Sequence, residues 1–500
     1  MKRTLLFGGL TLWASLSAFA QADEFDALAA AATDQPAQAS SWGALKWSGD
    51  QEFAYRLGAY DPATRTGPLV DGKLSGEYKL GDLKVVAAGQ VRNNEFVPGE
   101  TAVFYSPGSF KFGLGWQEFS WGVADKKNPT DTLNARDYRY GADASRLVNP
   151  AATVAWYPQS WMSVEAVYEP WKVESKYPTN FAASTQAGLI DAKAKLVSKG
   201  LGPLLTGYNP SASAESTKED FSNPVAGGRV NFFLSGVDLG FSYLYDRDSF
   251  YTPVVTMGSF ASGTFQLPTK VELVYKRLHR FGLNAKTTID KYGFWVESAY
   301  NKTEASSADS YDNRHDSIDW TLGSDFNFGP ASAYYVNVQY AGTWVMDYDA
   351  ATLKDYTSDL TSAQLADAAF MAKRTYRSLV QSEGNQTEQL MNTATISLKF
   401  PLADELVTPN FSAAAIVPWN YDDTKATRIA SAYFKPEVDF KPVDGVHILF
   451  GADLVYGWVK KAGSSDVSLD TATDKLGIYT PQNSVYVKVD YQWNGSLGSN

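Results

Sequence analysis

Cysteine is absent from all 500 residues, and histidine occurs only three times, as His279, His315 and His447. An exported chain without cysteine has no disulfide framework, so its stability has to come from packing and a closed hydrogen-bond network. No histidine lies in a nucleophile or zinc motif, so the reading nominates no catalytic residue, no metal and no cofactor. Beyond the first twenty residues no stretch reaches the roughly 18 to 20 uninterrupted apolar residues of a spanning helix. Clustered Lys and Arg are missing as well. A formal charge of -11 argues against nucleic acid, whose polyanionic backbone requires basic patches.

What is present is a leader and a great deal of alternation. Lys2 and Arg3 form a positive n-region, Thr4 to Leu16 an apolar h-region, and Ala18-Phe19-Ala20 a small-residue cleavage site. The expected organisation is a signal peptide over 1–20, a periplasmic lead-in over 21–42 rich in Ala, Gln, Asp and Ser, a barrel over 43–493 and a short tail over 494–500. Removing the two leader cations takes the charge from -11 to -13. A mean hydropathy of -0.27 resembles that of a soluble protein, yet it also suits strands that turn only half their residues to lipid. The 29 Tyr, 27 Phe and 14 Trp suit interfacial girdles, because Tyr and Trp have one apolar and one polar end.

Ser484 to Trp493 shows the alternation most plainly. Val485, Val487, Val489, Tyr491 and Trp493 fall on one face of a strand, and Tyr486, Lys488, Asp490 and Gln492 on the other. Similar dyads run through Trp47 to Leu57, Ala333 to Val345 and Val446 to Trp458. Short turns recur at Gly81-Asp82, Ser106 to Ser109, Pro158 to Ser160, Gly236 to Asp238, Asp290 to Gly293, Gly329 to Ser332, Ala403 to Leu406 and Val443 to Gly445, and they alternate with long polar loops. The fold class is therefore all-β: a closed antiparallel transmembrane β-barrel of about eighteen strands, with sixteen as the alternative count, short periplasmic turns and long extracellular loops. The long segment from Lys270 to Ile289 is counted as one strand near 272–289, with a wall strand plus an extended loop arm as the alternative. Leu189 to Lys199 and Ser362 to Gln381 carry helix-forming residues at three- and four-residue spacing. A surface cap is the expectation for both, and a helix folded into the mouth is the sharper alternative.

Alternation places Arg56, Lys79, Lys84, Arg92, Lys111, Arg229, Lys286, Lys435 and Lys488 toward the lumen, opposed by Glu297, Asp319 and Asp325 among the acids. Lys79, Lys84, Arg92 and Lys111 could form a basic ladder on one wall. The bland reading pairs Lys79, Lys84 and Lys111 with Glu52 and Glu77. A second constellation is the loop containing Trp121, Gly122, Asp125, Asn128, Pro129, Asp131 and Asn134. Asn128 suits an N-cap, Pro129 a first helical position, and Asp131 a site where a carboxylate meets free backbone amides. Its four oxygen-bearing side chains lack EF-hand spacing and the closing Glu, so local capping is expected and not calcium.

The Trp-Gly, Asp, Asn-Pro-Thr-Asp series resembles the signature of an uncharacterised Gram-negative outer-membrane β-barrel family, porin-like and known as a domain of unknown function. Tyr275 to Tyr300 and Asp319 to Tyr340, with Gly282, Glu297, Gly323 and Gln339, are similar to strands of that family. The resemblance covers most of the mature chain, and it departs from the pattern at Trp116, where the family has a basic residue before the Gln. It implies an exported barrel and supplies no established substrate.

The expected function is a porin-like channel for passive diffusion of small solutes through a mixed-charge lumen. The alternative is a conduit for export or uptake of a hydrophobic or polymeric substrate, working with a periplasmic or inner-membrane partner. A third option, a barrel lipase, would rest on His447 projecting inward with Asp453 nearby. The expected location is the bacterial outer membrane. Expected partners are outer-membrane lipid, the barrel-insertion machinery and, as a candidate, further copies of the chain.

Overall fold

The computed structural model describes residues 43–58, 67–92, 94–139, 144–177, 180–216, 219–248, 250–304, 314–348, 360–382, 389–418, 428–460, 467–470 and 483–497. The expected signal peptide and lead-in lie outside the described residues.

Each alternating segment becomes a wall strand. In chain order these are β1 (Ala44–Gly58), β2 (Gly67–Leu80), β3 (Leu83–Arg92), β4 (Glu95–Tyr105), β5 (Phe110–Gln117), β6 (Asn149–Gln159), β7 (Met162–Glu169), β8 (Val225–Leu234) and β9 (Val237–Arg247). The wall continues with β10 (Arg277–Ile289), β11 (Tyr292–Thr303), β12 (Ser317–Phe328), β13 (Tyr334–Val345), β14 (Leu390–Lys399), β15 (Val407–Pro418), β16 (Arg428–Val443), β17 (Val446–Lys460) and β18 (Ser484–Leu497). Sequential neighbours pair antiparallel all the way round, and β18 closes on β1 with Phe53 opposite Val489. Closure leaves no unpaired edge to be solvated in hydrocarbon. The wall is thus an eighteen-stranded closed barrel, as the larger of the two counts anticipated.

The closing strand runs on through Leu497, with Gly495 opposite Trp47. The first four residues of the expected tail are therefore wall, because β1 already starts at Ala44 and offers them ladder partners. At this seam Trp493 lies over Gly49 and Trp47 over Gly495, so that a Cβ on either glycine would sit 2.2 or 2.5 Å from an indole atom. A glycine opposite each tryptophan gives the ring a flat seat on the outer face.

Facing follows the pleat. Phe53, Tyr55, Leu57, Val485, Val487, Val489 and Tyr491 are exposed outward, while Glu52, Arg56, Lys488 and Asp490 are buried inward. An exterior of exposed apolar side chains around an interior of buried charges is the inverse of a soluble protein, and it is what a lipid-embedded wall requires.

The Lys270–Ile289 segment, counted as one strand, divides into a loop arm and β10, as the alternative had it. The arm, Phe265–Val274, forms a three-stranded sheet with Thr252–Phe260 and Ser211–Ala214 at the loop end of the barrel. Helix α1 (Phe181–Leu196) is capped by Asn180, whose side chain accepts from the Ala183 amide at 3.0 Å. Helices α2 (Ser362–Ala366) and α3 (Ala368–Ser382) break at Asp367, whose carboxylate takes the amides of Ala369 and Phe370. These helices pack on the small sheet through Phe181, Leu189, Val271 and Leu273 and through Met371, Phe265 and Leu267. Both expected helical segments thus pack on the loop sheet.

Candidate functional site

The loop between β5 and β6 makes the interior. β5 is only 8 residues long against 16 for β16, or about 20 Å of height against about 40 Å at a tilt near 40°. The chain therefore leaves the wall midway up and turns inward. Gly115 and Gly122 take positive φ, 137° and 103°, where a side chain would be strained. A Cβ on Gly115 would also strike the Thr101 carbonyl oxygen at 2.4 Å.

The base of the loop fills a crescent of the lumen. Phe119, Trp121 and Leu133 pack with Ala151, Val167, Val225 and Leu244 of β6, β7, β8 and β9. Asn134 stitches the base together, its amide donating to the carbonyls of Gln117 (3.1 Å) and Leu147 (2.7 Å). Farther along, the loop is tied to β11, β12 and β13. The Glu297 carboxylate accepts from the amides of Val123 (2.8 Å), Ala124 (3.2 Å) and Thr130 (2.7 Å) and from the Thr130 hydroxyl (2.8 Å). Gln339 accepts from the Asp125 amide at 3.2 Å and donates to the Lys127 carbonyl at 3.1 Å, and Thr321 donates to the same carbonyl at 2.8 Å. Asn337 donates to Asp125, and Lys127 reaches Thr343 at 2.9 Å. Tyr138, from the far limb of the loop, packs against Tyr433 and Val455 on the opposite wall.

Signature side chains order this loop internally as well as fastening it to the wall. Asn128 accepts from the Asp131 amide at 3.0 Å and donates to the Ala124 carbonyl at 3.1 Å. Pro129 lies in a single turn and no helix follows, so the expected capping chemistry holds without the helix. Asp131, almost fully buried, accepts from the Trp121 amide and pairs with Arg136 and Arg146. Burial and the nearby charge of Asp325 raise the Asp125 carboxyl above its ordinary value. The family-like residues meet here too. A Cβ on Gly282 would strike Thr130, Glu297 and Gln339 hold the loop, and Gly323 lies under the Trp295 ring.

The wall charges are mostly paired. Arg56 binds Asp453 at 2.7 Å, Lys84 binds Glu77 at 2.7 Å, Lys488 binds Glu52 at 3.2 Å, and Arg229 binds Glu165 at 3.0 Å while donating to the Ser120 carbonyl. Asp319 accepts from Asn301 at 2.7 Å, Asp325 accepts from the Tyr335 hydroxyl at 3.1 Å, Lys286 sits opposite Asp238, and Lys435 adds its charge beside Asp453. The basic ladder does not form. Lys79 and Lys84 face each other at the turn end, and Lys111 lies over the Phe104 ring there. Arg92, eight residues from Lys84 on the same strand and thus about 26 Å away, hydrogen-bonds Gln90 and Ser145 near the loop end. Of the expected pairings, Lys84 with Glu77 is present, while Glu52 takes Lys488. His447 binds Asp439 at 2.9 Å, and Asp453 is engaged by Arg56, so the histidine and carboxylate considered together in the lipase reading have separate partners.

The sequence reading passed over Thr130, Thr321, Asn337 and Lys127 as site residues. Thr130 stood inside the signature, but its partner is 167 positions away, and no local pattern connects them.

No protein-family model matches the chain, and no curated protein matches it. Among solved structures it is similar to Pseudomonas aeruginosa OccD3 (OpdP), at 8% identity and a TM-score of 0.46 over 92% of this chain and 93% of that one. It is similar also to Acinetobacter baumannii OccAB4, at 7% identity and a TM-score of 0.45 over 92% of this chain and 100% of that one. A further similar structure is the outer membrane protein OpdK of Pseudomonas aeruginosa, at 7% identity and a TM-score of 0.45 over 91% and 99%.

Proposed function

We propose that this chain is a bacterial outer-membrane channel through which small solutes diffuse passively, narrowed by the inward loop between Gln117 and Asn149. The observation that carries the reading is the Glu297 latch. A buried wall carboxylate that takes three amides and a hydroxyl of one loop gives that loop a fixed place inside a closed, charged barrel. A wall of this strand number leaves a water-filled lumen unless something enters it, and selectivity then falls to the loop and the charges around it. Polar side chains along the described inner wall disfavour the alternative of a hydrophobic conduit. Membership of the resembled barrel family belongs to the same proposal, since its Trp-Gly, Asp, Asn-Pro-Thr-Asp series is the constricting loop.

Planar-bilayer recording of refolded protein tests the reading. Discrete conductance steps are expected. Their absence from protein shown to be folded by heat-modifiable gel migration would overturn it.

A further inference from the structure

Among the described side chains the outer surface carries an anomaly. Lipid-facing wall positions whose side chains are described are uncharged from end to end, except at the loop ends of β9, β10 and β11. There Arg247, Arg277, His279 and Lys302 fall on the same face as the exposed Tyr243 and Phe281. Arg247 is buried against Tyr275 and Glu215; the other three remain at the surface. Arg277 lies over the Tyr245 ring at 5.0 Å, and His279 Nδ1 is 2.9 Å from the Tyr243 hydroxyl. Lys302 stands opposite His279 in the ladder, is exposed, and has no ion-pair partner among the described residues. Among the described residues Glu304 lies 3.6 Å from His279 Nε2, and Glu215 pairs with Arg247 at 2.8 Å.

A cation on the lipid face is costly unless it reaches the interface and meets an anion. These cations stand at the interface, at the end with the long loops, framed by two tyrosines. We propose that this patch binds the phosphate of an outer-leaflet glycolipid, with Lys302 and Arg277 supplying charge-assisted hydrogen bonds and the acyl chains lying along Phe281 and Leu283 below. The inference rests on the outer-membrane reading, which fixes the loop end as the outer leaflet.

The test is native mass spectrometry of the refolded, detergent-solubilised barrel with bis-phosphorylated lipid A, with the same lipid dephosphorylated, and with phosphatidylglycerol. Wild-type protein is expected to retain the phosphorylated glycolipid at least tenfold more strongly than either comparator. The Lys302→Glu, Arg277→Gln double variant is expected to lose that preference while keeping wild-type conductance and heat-modifiable migration. Equal retention of phosphatidylglycerol, or of dephosphorylated lipid, by the wild type would overturn the proposal. So would an unchanged preference in the variant. A folded, conducting barrel without phosphate preference sinks this inference alone, whereas a folded barrel that does not conduct sinks the channel reading.

Discussion

Replacing Glu297 by Ala removes the acceptor for four donors of the constricting loop, at 2.8, 3.2, 2.7 and 2.8 Å. Hydrogen bonds to a charged group contribute about 1.5 to 3 kcal/mol each, and a buried donor left without a partner costs about 1 to 3 kcal/mol. The loop can recover part of this by swinging its amides to lumen water, so a net loss of about 3 to 6 kcal/mol is a reasonable expectation for the latched state. At 1.4 kcal/mol per decade, the ratio of latched to released loop falls by about two to four orders of magnitude. The wall is untouched, because the β11 backbone keeps its ladder to β10 and β12. The assay is single-channel recording in planar bilayers. Wild type should show one narrow, quiet level; Glu297→Ala should show a larger conductance or flicker between two levels, with unchanged heat-modifiable migration. The anchors at Gln339 and Thr321 remain, so the double variant Glu297→Ala, Gln339→Ala should open further. If both variants conducted like wild type in level and noise, the loop would not be the constriction.

Three further outcomes are expected. Arg56→Ala strands Asp453 in a part-buried site with its 2.7 Å partner removed, so the midpoint of heat-induced unfolding on gels should fall, by the equivalent of about 3 kcal/mol; an unchanged midpoint would show the pair to be idle. Gly49→Val places side-chain atoms within 2.2 Å of the Trp493 ring, which should push the indole from its seat toward lipid at a cost of about 1 to 3 kcal/mol, visible as changed tryptophan emission relative to a Trp493→Phe control. Asp125 has a folded value raised above the ordinary 3.8 by burial and by Asp325. The folded loop therefore binds this proton more tightly, its packing gains as pH falls through the raised value, and the gain is complete below 3.8. Cation selectivity measured by reversal potential should drop over that window, and Asp125→Asn should abolish the drop.

The sequence by itself determined the wall. A period of two is the geometry of a strand, and short turns alternating with long loops fix up-and-down order, so strand number and facing followed from local rules. Lys270 to Ile289 divided as the alternative had it, the helix of the β13–β14 loop formed where spacing placed it, and the helix of the β7–β8 loop began at Phe181, eight residues ahead of Leu189. The expectations that failed involve distance along the chain. Arg92 and Lys84 share a face yet stand at opposite ends of one strand, and Glu52 turned to Lys488, 436 positions away, because closure of β18 on β1 makes them neighbours. The role of the signature loop was decided only in three dimensions. Asn128, Asp131 and Asn134 announced an ordered turn through local hydrogen bonds, but its entry into the lumen depends on Glu297, Gln339 and Thr321, which the barrel brings across from strands far along the chain. Pleat periodicity is written in neighbours, whereas a constriction is a contact across the barrel, and only tertiary closure decides which residues face each other there.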